Sequence, residues 1–444
     1  MSAGASASLA AFAAETARVP DDVRHEAVRS IMNGFATGLA GSHDAATTHA
    51  FSVAGRFSGG GEASLIGHGA RRDMLTASFL NAVAINVFDF DDTHPATILH
   101  PTAPVLPPLL ALAESRRISG DAFLDAFAIG VDVECRIANA VSPGHYRRGW
   151  HITATCGVFG AAAAAGRILG LDARRMLDAF GIASAQSCGL VETLGTMAKS
   201  VGVGNAARNG LFAALLAEDG MTGPAMPLEG PRGFLPVTAD APDVGQLCDR
   251  LGESWEIMSN TYKPYPCGVV LNPVIEAALS IAARPGFDAA KVTGAVVRGH
   301  ALLAERADRP VPSAGREAQV SAQHAVAVCL LHRRAGLAEF SDAAVAAQAN
   351  IALRDRVRVE IDPQLPVGAA VLDVAMADGS RIGERVDKAR GDSARPLSDG
   401  DIEEKLRELC AYGVPSLDPR PLIDALRALP GAPDTAGLAR LATI

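Results

Sequence analysis

The chain has 444 residues, of which 49% are hydrophobic, 20% charged and 5% aromatic, and its formal net charge is −9 at pH 7. A disordered chain would contain fewer apolar residues, and a small disulfide scaffold would be shorter and richer in cysteine, so both classes are excluded. The acidic balance argues against nucleic acid or an anionic membrane as the partner, because both attract basic proteins.

The seven cysteines predict a reducing compartment. Their number is odd and no C-x-x-C pair occurs, so we expect reduced, mostly buried thiols in a cytoplasmic protein. No signal peptide is expected in residues 1–15, because no basic segment precedes the Ala-rich stretch. The best candidate for a membrane span, residues 149–166, contains His151 and many alanines. We interpret it as a buried core helix of a soluble protein, without a membrane partner.

Helical periodicity dominates the chain up to residue 284. Pro20-Asp21-Asp22 is typical of a helix start, and the apolar positions that follow recur with a helical period. Further helices are predicted at residues 44–57, 71–88, 103–117, 120–141, 152–169, 172–188, 204–219 and 269–284. A long run of helices with small aliphatic side chains predicts a large all-helical domain.

The pattern changes after about residue 285. Alternating apolar residues predict strands at 291–300, 356–361, 369–376 and 381–386, and Ala377-Asp378-Gly379-Ser380 predicts a hairpin turn between the last two. Helices return at 319–335, 341–350, 399–412 and 420–429, and residues 430–444 are expected to form a loosely held tail. The predicted fold class is therefore mainly α with an α+β second domain. We expect a helical domain at 1–265, completed by 405–444, and an α+β domain at 266–404.

The first group of candidate functional residues connects two apolar helices. Three carboxylates and two histidines occur within twelve residues, in Asp89-Phe90-Asp91-Asp92-Thr93-His94 and His100. One alternative is a purely structural network in which the aspartates cap helix ends. Another is a metal site, but no metal-binding spacing supports it, and we predict no metal.

The second group precedes the helix predicted at 152–169. His151 stands where this helix begins, and Tyr146 lies in the same polar segment. A helix N-terminus lowers the pKa of a histidine and favours an anion beside it, which suits proton transfer next to a carboxylate substrate. The alternative is a packed histidine that caps its own helix.

Two lysines form the third group. Lys199 is the only lysine before Tyr262, and Lys263 is the second lysine of the chain. A lone lysine beside a Gly-rich helix start is typical of an anion-binding position, although an exposed loop lysine remains an alternative. Cys267 has no basic neighbour in the sequence, and we interpret it as a structural thiol.

These groups together resemble the MmgE/PrpD family. The matching segments are Asp89-Phe90-Asp91-Asp92-Thr93 with His100-Pro101, Gly149-Trp150-His151, Gly195-Thr196-Met197-Ala198-Lys199, Gly204-Asn205-Ala206-Ala207-Arg208 and Lys263-Pro264-Tyr265-Pro266-Cys267. The resemblance implies a large helical domain, a smaller α+β lid domain and a site between them. It also implies a homodimer that uses no metal or organic cofactor.

The family includes 2-methylcitrate dehydratase, cis-aconitate decarboxylase and iminodisuccinate epimerase. The resemblance implies that Asp89, Thr93, His100, His151, Lys199 and Lys263 line the site. Three positions depart from the pattern: Gly202, Gly268 and Asn272 stand where decarboxylase-like or other members carry histidine. These departures count against a decarboxylase.

We therefore predict a lyase that acts on a small di- or tricarboxylate, most similar to a 2-methylcitrate dehydratase. His151 and Asp89 are the expected proton-transfer residues and His100 a second acid, while Lys199 and Lys263 bind carboxylates. Thr93, Asp92 and Tyr146 are expected to contact the substrate. The alternatives are an epimerase, a cis-aconitate decarboxylase, and a non-catalytic polycarboxylate-binding protein.

Overall fold

The computed structural model describes residues 4–444, which contain nineteen α-helices and six β-strands. The helices are α1 (Ala5–Glu15), α2 (Asp21–Gly41), α3 (Ala45–Ala54), α4 (Met74–Asn86), α5 (Thr102–Ser115), α6 (Gly120–Val141), α7 (Gly144–Arg147), α8 (Ile152–Leu169), α9 (Ala173–Ser184), α10 (Ala198–Glu218), α11 (Phe234–Thr238), α12 (Asn272–Ala282), α13 (Ala301–Ala307), α14 (Gly315–Ala318), α15 (Ala322–His332), α16 (Asp342–Ala346), α17 (Gln348–Arg354), α18 (Asp399–Gly413) and α19 (Arg420–Arg427). The strands are β1 (Ala63–Ser64), β2 (Arg71–Arg72), β3 (Val292–Gly299), β4 (Val357–Ile361), β5 (Ala370–Met376) and β6 (Arg381–Val386). The predicted combination of a large helical domain with a smaller α+β domain is confirmed.

The chain divides into two compact units. The first comprises Met1–Val87, Asp91–Asn260 and Asp399–Ile444, and the second comprises Phe88–Phe90 and Thr261–Ser398. The first three residues, which the predicted helical domain includes, lie outside the described residues. From sequence we placed the boundaries after residues 265 and 404, whereas the compact units divide after Asn260 and Ser398.

Helix α8 forms the core of the first unit. It packs against α5, α6, α9 and α10, and its residues from Ile152 to Gly166 are all buried. It is the one helix in residues 4–444 that is long and apolar enough to cross a membrane, and most of it is buried inside the protein. Burial on every side explains why it carries no polar face.

Glycine and alanine allow the helices of this core to approach closely. A Cβ atom at Gly160 of α8 would lie 2.8 Å from the carbonyl oxygen of Gly130 in α6, and one at Gly210 of α10 would lie 2.6 Å from the carbonyl oxygen of Val158. Both distances are too short for any larger residue. The small-residue composition of the chain therefore reflects helix packing at backbone contact.

The second unit contains a four-stranded mixed sheet with the order β4-β3-β5-β6. Strands β3 and β4 are parallel, whereas β3–β5 and β5–β6 are antiparallel. Helix α12 packs against β5 and β6, α15 packs against β4, and their apolar faces share one core. At the predicted hairpin turn, Gly379 has φ +84° and Asp378 accepts a hydrogen bond from the Ser380 N–H.

Two sequence-based expectations about elements are wrong. Helix α10 begins at Ala198 instead of residue 204, so Gly202 and Gly204 lie inside it. Position 204 requires glycine, because a Cβ there would lie 2.7 Å from the Phe79 ring. Residues 430–444 are not a loose tail: the Ala442 carbonyl accepts a 2.7 Å hydrogen bond from Gly67, and Leu438, Ala439 and Ala442 are buried.

Candidate active site

The loop between α4 and α5 carries a histidine–carboxylate pair in the first unit. Nδ1 of His100 lies 3.1 Å from Oδ1 of Asp91, and the Asn86 side-chain amide donates a 2.8 Å hydrogen bond to Oδ2 of Asp91. Asp91 and Asn86 are completely buried, and His100 is 8% exposed. An imidazole beside a buried carboxylate is an arrangement that suits proton transfer.

Asp92 fixes this loop to the start of α5. Its Oδ2 accepts hydrogen bonds of 2.6 Å from Thr102 Oγ1 and from the Asn260 side chain. Burial raises the pKa of Asp92 to about 6, helped by the neighbouring Asp91 charge and opposed by the two hydrogen bonds. Asp92 is completely buried and its carboxylate holds the loop, while its expected contact with substrate stays a prediction.

Two neighbouring residues of the loop are also buried. Thr93 is 7% exposed, and His94 forms hydrogen bonds to Thr97 Oγ1 at 2.8 Å and to Glu256 at 3.1 Å. The histidine therefore links the loop to the segment that precedes Asn260. Much of the polar sequence in this loop serves to fix its conformation, although no aspartate of the loop caps α5, whose N-cap residue is Pro101.

His151 occupies the N-cap position of α8. It is buried, its main-chain N–H donates to the Gly189 carbonyl at 3.1 Å, and its carbonyl accepts from Ala154 and Thr155 at the start of the helix. The main-chain N–H of His100 donates to Thr153 Oγ1 in the first turn of α8, at 3.1 Å. The loop that carries His100 is thereby anchored at the helix end where His151 lies.

Lys199 lies in the first turn of α10 and is 9% exposed. Its neighbour Ser200 donates a 3.3 Å hydrogen bond to Asn86, the residue that also holds Asp91. Helices α8 and α10 run parallel, because Gly202 faces Ala154 and Gly210 faces Ala161. Lys199 and His151 each lie one turn before the first of these contacts, so the structure brings Lys199, His151 and His100 to the same end of the helical core.

That end of the first unit suits an anionic substrate. The N-termini of α8 and α10 carry partial positive charge, and Lys199 adds a full charge. Together with the His100–Asp91 pair, this arrangement combines an anion-binding element with groups that can accept and donate protons.

The second unit contains the other predicted lysine. Lys263 is buried, and its Nζ donates a 2.6 Å hydrogen bond to the Asp89 carbonyl and lies 3.4 Å from Asp89 Oδ2. Asp89 has φ +54°, and its side chain is 48% exposed. The proton-transfer role that we predicted for Asp89 stays a prediction. Burial raises the pKa of the Cys267 thiol, as expected for a structural cysteine.

Tyr146 lies on the short helix α7 and is half-buried. The preceding residue, His145, is completely buried and forms a 2.7 Å hydrogen bond with Thr155 Oγ1. Burial lowers the pKa of His145 to about 4, so this imidazole is neutral at pH 7. His145 supports α8, whereas His151 at the helix start is the better placed of the two for chemistry.

Sequence reasoning missed several supporting residues. Asp91, Asn86, Ser200 and Thr153 were not selected, although Asp91 belongs to the Asp89–His94 motif. Ser200 and Thr153 act through contacts with distant segments, for which a single sequence carries no signal. The contacts of Asp91 with Asn86 and His100 are closer in sequence but depend on the conformation of the loop. The high density of acidic residues at 89–92 was the available clue, but it did not distinguish Asp91 from its neighbours.

Comparison with known proteins shows the family of this chain. The model of the MmgE/PrpD N-terminal domain matches residues 7–247, and that of the MmgE/PrpD C-terminal domain matches residues 265–427. Cis-aconitate decarboxylase of Homo sapiens is 31% identical over 347 residues, which cover 74% of this chain and 71% of the relative. The enzyme of Mus musculus is 29% identical over 363 residues, covering 77% and 74%.

A third similar protein is the cis-aconitate decarboxylase-like protein oryM of Aspergillus oryzae, which is 28% identical over 428 residues, covering 90% of this chain and 88% of the relative. Both domain matches occur in the order that the sequence motifs indicated, and together they span nearly the whole chain. The chain belongs to the MmgE/PrpD family.

Proposed function

We propose that this protein is a cofactor-independent lyase that removes a proton from a carbon next to a carboxylate of a small di- or tricarboxylate and eliminates water. The observation that carries the proposal is the His100–Asp91 pair, which is anchored at the helix end where His151 and Lys199 lie. Elimination of water needs a base for the C–H bond and an acid for the leaving hydroxyl, and two imidazoles can supply both.

In the proposed reaction, Lys199 and the helix N-termini bind a substrate carboxylate. Nε2 of His100 accepts the proton from the adjacent carbon, and Lys199 stabilises the enediolate charge that develops on that carboxylate. The electron pair of the broken C–H bond forms the new double bond, and the C–O bond breaks. His151 donates its proton to the departing hydroxyl, which leaves as water. His100 then releases its extra proton to solvent, and His151 takes up a proton from solvent. Both residues are thereby restored to their starting states.

Decarboxylation is the second candidate, and the names of the similar proteins favour it. In that reaction a C–C bond breaks, carbon dioxide leaves, and one acid protonates the carbanion. A single proton donor is sufficient, so the two-histidine arrangement supports elimination more specifically. Gly202, Gly268 and Asn272, at positions where decarboxylase-like or other members carry histidine, point in the same direction.

The deciding experiment is a substrate panel followed by NMR in deuterated water. Citrate, 2-methylcitrate, the aconitate isomers and iminodisuccinate are each incubated with the protein and with the H100A and H151A variants. A hydro-lyase forms an alkene from a hydroxy acid, a decarboxylase loses a carboxylate from an aconitate, and an epimerase incorporates deuterium without net elimination. Decarboxylation or epimerisation alone would refute the hydro-lyase proposal, and binding without turnover would refute catalysis on this panel.

We also propose that the protein acts as a homodimer in the cytoplasm and needs no metal or organic cofactor, as the family resemblance implies. Light scattering of the purified protein tests the dimer. Dialysis against a chelator, followed by the same NMR assay, tests the cofactor requirement. Activity that is lost on dialysis and restored by a divalent cation would contradict it.

A further inference from the structure

Glu134 is a completely buried carboxyl group close to the candidate site. It lies in the middle of α6 and rests against the backbone of α8: a Cβ at Gly160 would lie 2.5 Å from Oε2 of Glu134, and one at Gly157 would lie 3.5 Å from it. Within residues 4–444, neither of its carboxyl oxygens has a hydrogen-bond partner, and no cation forms an ion pair with it. The mechanism proposed above does not use this residue.

The groups that face Glu134 are acids. The Gly157 Cβ position that lies 3.5 Å from Glu134 also lies 2.7 Å from the Pro104 ring, in the first turn of α5, which starts at Thr102, the hydrogen-bond partner of Asp92. Asp92 and the Cys156 thiol of α8 interact electrostatically with Glu134, and Cys135 is its neighbour on α6. Burial, followed by the Asp92 charge, raises the pKa of Glu134 well above its usual value. An ionised carboxylate without donors or a counter-ion is far more costly in such an enclosure than a neutral carboxylic acid.

Asp92, unlike Glu134, has hydrogen-bond donors. Thr102 and Asn260 both donate hydrogen bonds to Asp92, which stabilise its charged form. Two nearby buried carboxyl groups do not both ionise readily, so one proton remains with the pair and resides on the member without donors. The ionised member is then Asp92, which holds the loop to α5.

We propose that Glu134 is a positioning residue of the candidate site: it carries the proton of the buried Asp92–Glu134 pair and so keeps Asp92 ionised, with the loop that bears Asp91 and His100 fixed to α5. Its catalytic relevance rests on the function proposed above. Its protonation and its effect on the loop do not, and they can be measured without a substrate.

The first measurement is the pH dependence of unfolding for the wild type, E134Q and E134L. A carboxyl whose pKa is raised in the folded state binds a proton on folding, and its contribution to stability is lost as pH rises from its unfolded value of about 4.3 toward its folded value. We therefore expect the unfolding constant of the wild type, relative to that of either variant, to rise with pH above about 5.5, by up to about tenfold per pH unit for as long as folded Glu134 keeps its proton. Equal slopes in all three proteins would overturn the proposal.

E114Q is the matched control. The side chain of Glu114 is also buried, but Ser64, Arg71 and Arg440 donate hydrogen bonds to it. These bonds outweigh the effect of burial and lower the pKa of Glu114. Its stabilisation is present above its unfolded pKa and is lost as pH falls, so E114Q is expected to be less stable than the wild type by a constant factor from pH 5.5 to 7.5.

The second measurement is amide hydrogen exchange of residues 91–101, with wild type and E134Q compared at the same pH. Ionisation of Glu134 at alkaline pH releases the single proton of the pair to solvent and leaves two neighbouring carboxylates, whose repulsion loosens the loop. The wild type is therefore expected to exchange faster than E134Q there. If turnover is established, the alkaline limb of kcat/KM is expected to move to higher pH in E134Q and to stay in place in E114Q. Equal exchange in both proteins would refute the positioning role, whereas a failed substrate panel would refute only the proposed reaction.

Discussion

Buried carboxyl groups in two regions of the first unit have different hydrogen-bond partners. In the region formed by α2, α5, α6 and the C-terminal segment, Asp125 is paired with Arg24 through hydrogen bonds of 2.7 and 2.8 Å, and Glu114 accepts from two arginines. Around His100, Asp92 has uncharged donors and Glu134 has none in residues 4–444. The first region compensates charge with arginine, and the second retains groups that can change protonation.

Within one helical core, the first region therefore contributes mainly to stability and the second mainly to function. A carboxylate whose hydrogen-bond donors outweigh the effect of burial, as for Glu114, remains ionised over the physiological pH range and contributes to stability. A buried carboxyl without a cation has its pKa raised toward neutrality, which is costly for stability but useful where protons move. Asp92, which lies next to the His100–Asp91 pair, is such a carboxyl group, with a pKa of about 6. Substitutions in the two regions should therefore affect different measurements.

The largest effect is expected for His151→Ala, in the region around His100. If His151 is the general acid, kcat falls by about 10²–10⁴ while the free energy of unfolding changes little. The matched control is His145→Ala, since His145 is buried in the same cluster but bonds to Thr155. We expect that variant to be less stable than the wild type, and the kcat of its folded molecules to be unchanged. Unchanged turnover in H151A would exclude His151 from the reaction.

The next effect is expected for Arg24→Ala, in the compensated region. Removal of the guanidinium leaves Asp125 buried without its partner, and breaking such a pair costs about 3–5 kcal/mol of stability. Arg18→Ala is the control, because the Arg18–Asp21 pair is exposed and surface pairs contribute about 0–1 kcal/mol. Urea unfolding measures both variants, and kcat of the folded protein should be unaffected in each. A loss of kcat in folded R24A would contradict the separation of the two regions.

A smaller effect on substrate affinity is expected for Lys199→Met. A hydrogen bond to a charged group contributes about 1.5–3 kcal/mol, so KM should rise about 10–150-fold, with a fall in kcat if the contact strengthens in the transition state. Lys405→Met is the control: Lys405 is also buried, but its ammonium donates to Asn33 between α2 and α18. An unchanged KM in K199M would show that Lys199 does not bind the substrate carboxylate.

The sequence predicted the helices and strands well where burial follows a regular period. Examples are helices α6 and α8 and the hairpin of β5 and β6, whose apolar residues face the core. The start of α10 was missed because glycines inside a helix resemble a loop unless the neighbour that requires them, here Phe79, is known. The packed C-terminal segment was missed because its contacts are with residues more than 300 positions away.

The candidate site divides in the same way. His151 and Lys199 were predictable because a lone basic residue at a helix start has a local meaning. Asp91 and Glu134 were not, since the partner of the first and the isolation of the second depend on how α4, α6 and the loop come together. Asp92 has the same side chain as Asp91 and adjoins it in sequence, yet the fold gives one to His100 and the other to Thr102 and Asn260.

The smallest effect is expected for Arg440→Ala, which tests the compensated region at its edge. Arg440 is 56% exposed and donates to Glu114 at 3.1 Å, whereas Arg71 donates to the same carboxylate at 2.7 Å and Ser64 also contributes. With these donors still present, the loss should be only about 0.2–1 kcal/mol and should shrink at high salt. Arg71→Ala should cost more, because it removes the shorter bond and a contact to Ser64 Oγ. Because Glu114 is stabilised as the anion, both losses should diminish as pH falls toward 4 in urea unfolding experiments. If R440A lost as much stability as R71A, the C-terminal segment would be an essential part of the compensated region, and the ranking of its donors by exposure would be wrong.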